Sequence, residues 1–175
     1  KGIHKADGIQ VAIKTLKKVG FGGSEFALNA GRGKRMPTRP PSLPFQQVSI
    51  SEALLANEIL VMRRIVEEVS PHPNVIHLHD VYEDPTGVHL VLELCSGGEL
   101  FDRIVSQERY SEAGAAGVIR QIASGLHALH QAQIVHRDLK PENCLFLTPA
   151  EDSSLKVMDF GLSHIEEVTN PVVGM

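Results

Sequence analysis

His136-Arg137-Asp138-Leu139-Lys140-Pro141-Glu142-Asn143 decides the fold, because it satisfies the spaced pattern H-R-D-L-x-x-x-N. Five fixed positions, at about one chance in twenty each, coincide by accident on the order of once in three million start sites. Downstream, past two short apolar runs at 144–147 and 155–158, stands Asp159-Phe160-Gly161. The two runs flank a polar turn, and their β-branched and aromatic content predicts a small hairpin. Far upstream stands Val11-Ala12-Ile13-Lys14. The alternation of Val11 to Leu16 predicts a strand that carries this lysine. Each short motif is weak alone. Their order and the local structure around each give them weight.

The stretches between the motifs read in the same way. Ser49 followed three residues later by Glu52 forms a capping box. Leu55, Ile59, Met62, Val66 and Val69 follow at spacings of 4, 3, 4 and 3, which predicts a helix with one apolar stripe. Pro71-His72-Pro73 ends it. Residues 75–82 and 88–94 predict two strands around the turn Asp84-Pro85-Thr86-Gly87. Cys95-Ser96-Gly97-Gly98 breaks the second strand, and a short helix is expected at 99–105. Ser111 caps a longer helix with Val118, Ile122, Leu126 and Leu129 on one face. Residues 20–47, rich in Gly, Pro, Ser and Arg, predict a long loop. The result is an α+β chain, strand-rich before Gly97-Gly98 and helix-rich after.

Composition excludes several classes. The 175 residues are 42% hydrophobic and 22% charged, a globular balance. Two cysteines, Cys95 and Cys144, cannot build a disulfide scaffold and suit a reducing compartment. No run reaches the roughly 20 apolar residues of a membrane helix, so no membrane partner is expected. The net charge of −4 divides into +7 over residues 1–50 and −11 over the rest. The basic cluster Arg32, Lys34, Arg35 and Arg39 lies among glycines and prolines without interleaved aromatics. It reads as a solvated loop, and no nucleic-acid partner is expected. The nine histidines lack cysteines at zinc spacing and read as ordinary core or surface residues.

The motifs resemble, in order and context, those of eukaryotic Ser/Thr protein kinases of the calcium/calmodulin-dependent group. Residues 57–67, 83–102 and the long loop after Lys14 are most similar to the plant chimeric calcium- and calmodulin-dependent kinases of root symbiosis. The resemblance implies an α+β, bilobal protein-kinase-like fold, here incomplete. Residues 1–94 would form a partial small lobe, an antiparallel sheet with one main helix and an insertion at 20–47. Residues 95–98 would be the hinge, and 99–175 the first part of the helical large lobe through the start of the activation segment. ATP and Mg²⁺ are the implied cofactors, and proteins with Ser/Thr acceptors the implied substrates. Calmodulin and Ca²⁺ would act through regions outside this chain, in the cytoplasm or nucleus. The glycine-rich loop expected before Val11 is not in the chain. Gly20-Phe21-Gly22-Gly23-Ser24 stands on the wrong side of Lys14 to replace it. Catalysis is therefore expected of a longer parent protein and not of this piece alone.

Phosphoryl transfer needs neutralised charge around a phosphate that exchanges one oxygen for another. Lys14 would pair with the α- and β-phosphates, and Glu58, at the edge of the helix stripe, would hold it. Asp138 would orient the acceptor hydroxyl, and Lys140 would neutralise the γ-phosphate. Asn143 and Asp159 would offer oxygen ligands to Mg²⁺, with Glu142 in the nucleotide-binding set. By the resemblance alone, Leu92 would back the adenine pocket, and Glu93 and Cys95 would bond adenine through their backbone. Ala12 and Leu145 would sandwich the ring, and Glu99 would face the ribose and a basic substrate side chain. Ser163 and Thr169 are candidate phosphate acceptors in the activation segment. The rival reading is a non-catalytic nucleotide-binding scaffold, which loss of Lys14, Asp138 or Asp159 would favour; all three are present.

Overall fold

The computed structural model describes residues 1–3, 8–17, 50–106 and 110–166. Ser49, Thr169 and the expected loop at 20–47 lie outside these residues.

Strands β1 (Gly2–Ile3), β2 (Gln10–Lys17), β3 (Leu78–Asp84) and β4 (Gly87–Glu93) form one antiparallel sheet in the order β1-β2-β4-β3. Period-2 alternation sets the faces of β2. Val11 is buried and Ala12, Lys14 and Leu16 half-buried, while Ile13, Thr15 and Lys17 face water. The β3–β4 turn forms because one Asp84 oxygen accepts from the Thr86 amide at 2.7 Å and the Gly87 amide at 3.0 Å. A side chain on Gly87 would run into the Leu16 carbonyl of β2 at 2.4 Å, so only glycine closes this turn.

Helix α1 (Ile50–Glu68) packs on this sheet. Its buried residues are Glu58, Val61, Met62 and Ile65, with Val69 buried just past its end, whereas Val66, assigned above to the apolar stripe, is 41% exposed. The spacing is the same, but the buried face is turned toward Glu58, Val61 and Ile65, where Glu58 meets Lys14 of the sheet. Past the helix, the chain does not enter β3 at Val75. The Ile76 amide donates to the Val157 carbonyl and the Val157 amide to the Asn74 carbonyl, at 3.0 and 2.9 Å. This pairing draws residues 74–76 to the second hairpin, so β3 starts three residues later than the apolar pattern predicts.

That hairpin consists of β6 (Cys144–Phe146) and β7 (Leu155–Val157). It follows α2 (Leu100–Ser106), α3 (Glu112–Gln131), the short β5 (Ile134–Val135) and a 3₁₀ turn at Pro141–Asn143. β5 pairs with β8 (His164–Ile165). The Ser111 hydroxyl caps α3 by accepting from the Gly114 amide at 3.0 Å. One end of α3 sets Val118 and Ile122 on a core of Leu100, Cys144, Phe146, Leu155 and Val157. Its other end sets Leu126 and Leu129 in the larger core shared with α1 and the sheet. One amphipathic helix thus ties the two cores together.

Residues 95–98 run from β4 to α2 close against β6. The Ser96 and Gly97 amides donate to the Leu147 and Phe146 carbonyls at 3.0 and 2.9 Å. A Cβ on Gly97 would sit 2.0 Å from the Thr148 carbonyl oxygen, whereas at Gly98 (φ +79°) the space is open. Gly97→Ala is expected to destabilise the protein by about 3 kcal/mol through overpacking against backbone. Gly98→Ala is expected to cost only about 1–2 kcal/mol for its left-handed φ. Chemical-denaturation curves of the two variants check this order, and equal losses would contradict it.

Candidate active site

Two arrays of charged side chains meet between the middle of β2, the middle of α1 and the residues flanking the hairpin. In the first, alternation on β2 turns Lys14 inward, and the helical period of α1 brings Glu58 beneath it. Lys14 Nζ donates to Glu58 Oε1 at 2.6 Å and to Asp159 Oδ1 at 2.9 Å. The Glu58 side chain is 8% exposed, an expensive place for a carboxylate without its cation. Burial disfavours the charge on Lys14, but bonds from Glu58 and Asp159 outweigh it and raise the pKa. Partial burial likewise opposes the charge on Asp159, and Lys14 overcomes it, holding this carboxyl below the usual range.

The second array lies in the stretch 136–143. Asn143 Nδ2 donates to the Asp138 carbonyl at 2.8 Å and to Asp138 Oδ2 at 3.1 Å. Lys140 Nζ stands 3.0 Å from the same Oδ2, and its pKa is raised, first by its hydrogen bond to Asp138. His136 holds the loop in shape. Its Nδ1 accepts from the Asp138 amide at 3.2 Å, so Nε2 carries the proton and donates to the Met158 carbonyl at 2.9 Å. The Met158 amide in turn donates to the Asn143 carbonyl at 3.0 Å. These bonds fasten the segment bearing Asp138 to the segment bearing Asp159, and Lys140 feels the charge of both.

Arg137 and Asp159 take left-handed backbone angles, with φ of 64° and 65°. Such angles cost a non-glycine residue about 1–3 kcal/mol and persist only where the surroundings enforce them. Here His136 and the fully buried Phe160, tilted rings 5.3 Å apart, do so.

The other expected positions distribute as follows. Ala12 pairs with Leu92 across β2 and β4, and Leu92 is buried. Leu145, half-buried on β6, makes an isolated bridge with Glu99. Cys95 is half-buried, and burial pushes its thiol up to about 11. Glu142 is exposed on the 3₁₀ turn. The Glu93 amide already donates to the His77 carbonyl at 2.9 Å, which leaves its carbonyl as the backbone group to offer. Ser163 is 2% exposed and its hydroxyl donates to the His136 carbonyl at 3.0 Å. It serves as a strut of the loop, contrary to its reading as an accessible phosphate acceptor. Sequence reasoning missed Gln121, whose Oε1 accepts from the Leu155 amide at 2.7 Å and from Asn74 Nδ2 at 3.0 Å. A lone polar residue on a helix carries no signal for such a bridge.

The Lys14–Asp159 contact sets an acid limit on stability. Because the folded pKa of Asp159 is depressed, its contribution is full above the unfolded value of about 3.9 and fades as pH falls through the folded one. The raised pKa of Lys14 keeps its part in place until strongly alkaline pH. Asp159→Asn is therefore expected to flatten the acid limb. Urea melts near pH 6 and near pH 3 should show a smaller drop than in the unsubstituted protein. An equal drop would contradict the coupling.

The protein kinase domain family matches residues 45–173. A calcium and calcium/calmodulin-dependent serine/threonine-protein kinase of Lilium longiflorum is 63% identical over 179 residues, covering 100% of this chain and 34% of the relative. The protein of the same name from Oryza sativa subsp. japonica is 63% identical over 180 residues, covering 100% of this chain and 33% of the relative. Calcium/calmodulin-dependent protein kinase type 1B of Rattus norvegicus is 42% identical over 163 residues, covering 93% and 46%. The chain thus spans about a third of the length of the plant relatives. The antiparallel sheet with its packed helix, the helical second half and the family match agree, and the chain belongs to the protein kinase domain family.

Proposed function

We propose that the protein carrying this chain is a Ser/Thr protein kinase that moves the γ-phosphate of Mg·ATP to hydroxyls of protein substrates under calcium/calmodulin control. Residues 1–94 would be the small lobe, 95–98 the hinge and 99–175 the beginning of the large lobe. The observation that carries this reading is the single lysine held between two carboxylates, at 2.6 and 2.9 Å, and tied by backbone bonds to the array around Asp138.

Each side chain then has a task that its surroundings support. Lys14, kept charged by Glu58, binds the α- and β-phosphates. Asp138, fixed by Asn143 and Lys140, accepts a hydrogen bond from the substrate hydroxyl and orients it in line. Lys140 balances charge gathering on the transferred group. Leu92, Ala12 and Leu145 surround adenine, with backbone bonds from Glu93 and Cys95, while Glu99 and Glu142 lie at the ribose and substrate side.

Protein kinases use Mg²⁺, and the residues present fit it. Asn143 turns its amide nitrogen to Asp138, so its oxygen faces away, and Asp159 offers a carboxylate. Among the described residues no three His, Cys, Asp or Glu cluster as a complete metal cage. That suits a hard cation that takes one or two protein oxygens and fills its shell with water and phosphate. When bound, Mg²⁺ would supply positive charge that offsets the negative charge of the phosphates. Among the described residues no helix is long and apolar enough to cross a membrane. Two free cysteines suit the cytoplasm or nucleus.

The test uses the full-length protein, radiolabelled ATP and peptides differing only in a Ser, Thr or Tyr acceptor, with and without Ca²⁺/calmodulin. Label should reach Ser and Thr, and Asp138→Asn should abolish transfer while retaining nucleotide binding. Nucleotide binding with no transfer by the unsubstituted protein would leave the non-catalytic scaffold.

A further inference from the structure

Lys156 takes no part in either charged array. It stands on β7 between Leu155 and Val157, both fully buried, and its own side chain is only 8% exposed. An ammonium buried to that degree persists where it is paired and hydrogen-bonded. Lys156 Nζ lies 2.9 Å from Glu93 Oε1, whose side chain is 16% exposed, and donates to the His72 carbonyl at 3.3 Å. One ammonium therefore joins three separate parts of the chain: the segment that leaves α1, the end of β4, and β7.

Glu93 is held more tightly than a strand end requires. Its amide donates to the His77 carbonyl at 2.9 Å, and its Oε1 accepts from the His77 amide at 2.7 Å. The carboxylate thus stands in for a backbone acceptor just before β3 begins at Leu78. The charge of Lys156 keeps that carboxylate turned inward instead of out into water. With amide and side chain both tied, the Glu93 carbonyl has little freedom to turn. That carbonyl is the group that the nucleotide reading above offers to adenine. Lys156 also lies opposite Leu145 in the β6–β7 register, and Leu145 is a wall of the proposed adenine pocket.

We propose that Lys156 is a positioning residue that sets the preference of this site for adenine over guanine nucleotides, an inference that rests on the nucleotide reading above. Adenine presents an amino donor where guanine presents a carbonyl oxygen. A carbonyl fixed at that point accepts from the first and repels the second, so discrimination depends on how firmly it is aimed. Without the ammonium, the Glu93 carboxylate turns toward solvent and gives up the His77 amide, and the carbonyl moves with it. Asp159, three residues past Lys156, keeps its own supports. These are the Lys14 contact at 2.9 Å and the bond from the Met158 amide to the Asn143 carbonyl. The defect is therefore confined to recognition of the base and spares the metal ligand.

The test is calorimetric titration of the full-length protein with Mg·ATP and with Mg·GTP, with transfer rates measured in parallel. Lys156→Met keeps the apolar stem and removes only the charge. It is expected to weaken ATP about tenfold and GTP less than about twofold, the effect of one misplaced hydrogen bond. KM for ATP should rise with it, while kcat changes less than about twofold and the Mg²⁺ requirement stays where it was. Because Lys156→Met strands a buried carboxylate, the second variant is Glu93→Leu/Lys156→Met, which replaces the pair with apolar side chains. It should melt at a higher temperature than Lys156→Met and show the same loss of ATP preference. An unchanged ATP-to-GTP ratio in either folded variant, or a parallel rise in the Mg²⁺ requirement, would overturn the proposal and leave the nucleotide reading intact. Equal binding of the two nucleotides by the unsubstituted protein would do the same without any variant. No ATP binding by the unsubstituted protein would overturn the nucleotide reading and this proposal with it.

Discussion

Lys14→Met in the full-length protein is expected to lower kcat/KM for phosphoryl transfer by about 10²–10³-fold, the effect of deleting one preorganised electrostatic group. Glu58→Gln should produce a loss of the same order, although in the proposed reading Glu58 would act on the phosphates only through Lys14. The double variant should be little worse than either, because residues that act as one unit are not additive. The geometry explains this. Glu58 is buried on α1 and spends its Oε1 on Lys14 at 2.6 Å, so without it the ammonium keeps only Asp159. Lys14→Met also leaves Glu58 without its cation, which lowers stability. Rates should therefore be read at a temperature where circular dichroism shows every variant folded. Additive losses in the double variant would mean that Glu58 has a separate role.

How much of this was legible in the sequence depends on how local each signal is. The stretch 136–143 could be read because its chemistry is packed into eight positions. The faces of β2 and α3 could be read because a single period fixes them. The α1 face was only partly legible. Glu58 shares the buried side with Val61 and Ile65, so counting apolar residues alone drew the stripe through the exposed Val66. The start of β3 was misplaced because Val75 and Ile76 are apolar for the sake of β7, a partner some 80 residues away. The ion pair of Glu93 with Lys156 was invisible for the same reason: each is an ordinary charged residue until the fold buries both. Ser163 looked available because loop serines usually are, and only the bond to His136 shows otherwise. Long-range polar pairing has no period, and it is what sequence reasoning missed here.

Phe160→Ala is expected to destabilise the protein by about 3–5 kcal/mol, the cost of a large buried aromatic removed with little collapse around it. Phe160 is 1% exposed in the core shared by α1, the sheet and α3, beside the His136 ring. Its neighbour Asp159 sits at φ 65°, a strained angle that must be offset by packing next to it. With the ring gone, Asp159 should relax out of that angle, and its 2.9 Å contact with Lys14 should loosen. The KM for Mg·ATP should then rise in the fraction that remains folded, while the Lys14–Glu58 pair, anchored on β2 and α1, stays. Phe160→Leu refills most of the volume and should restore stability to within about 1.5 kcal/mol. Denaturation midpoints with nucleotide titrations at low temperature test both halves. A Phe160→Ala protein that loses stability but binds Mg·ATP normally would show that Asp159 holds its angle without the ring, and that His136 and the backbone bond between Met158 and Asn143 suffice.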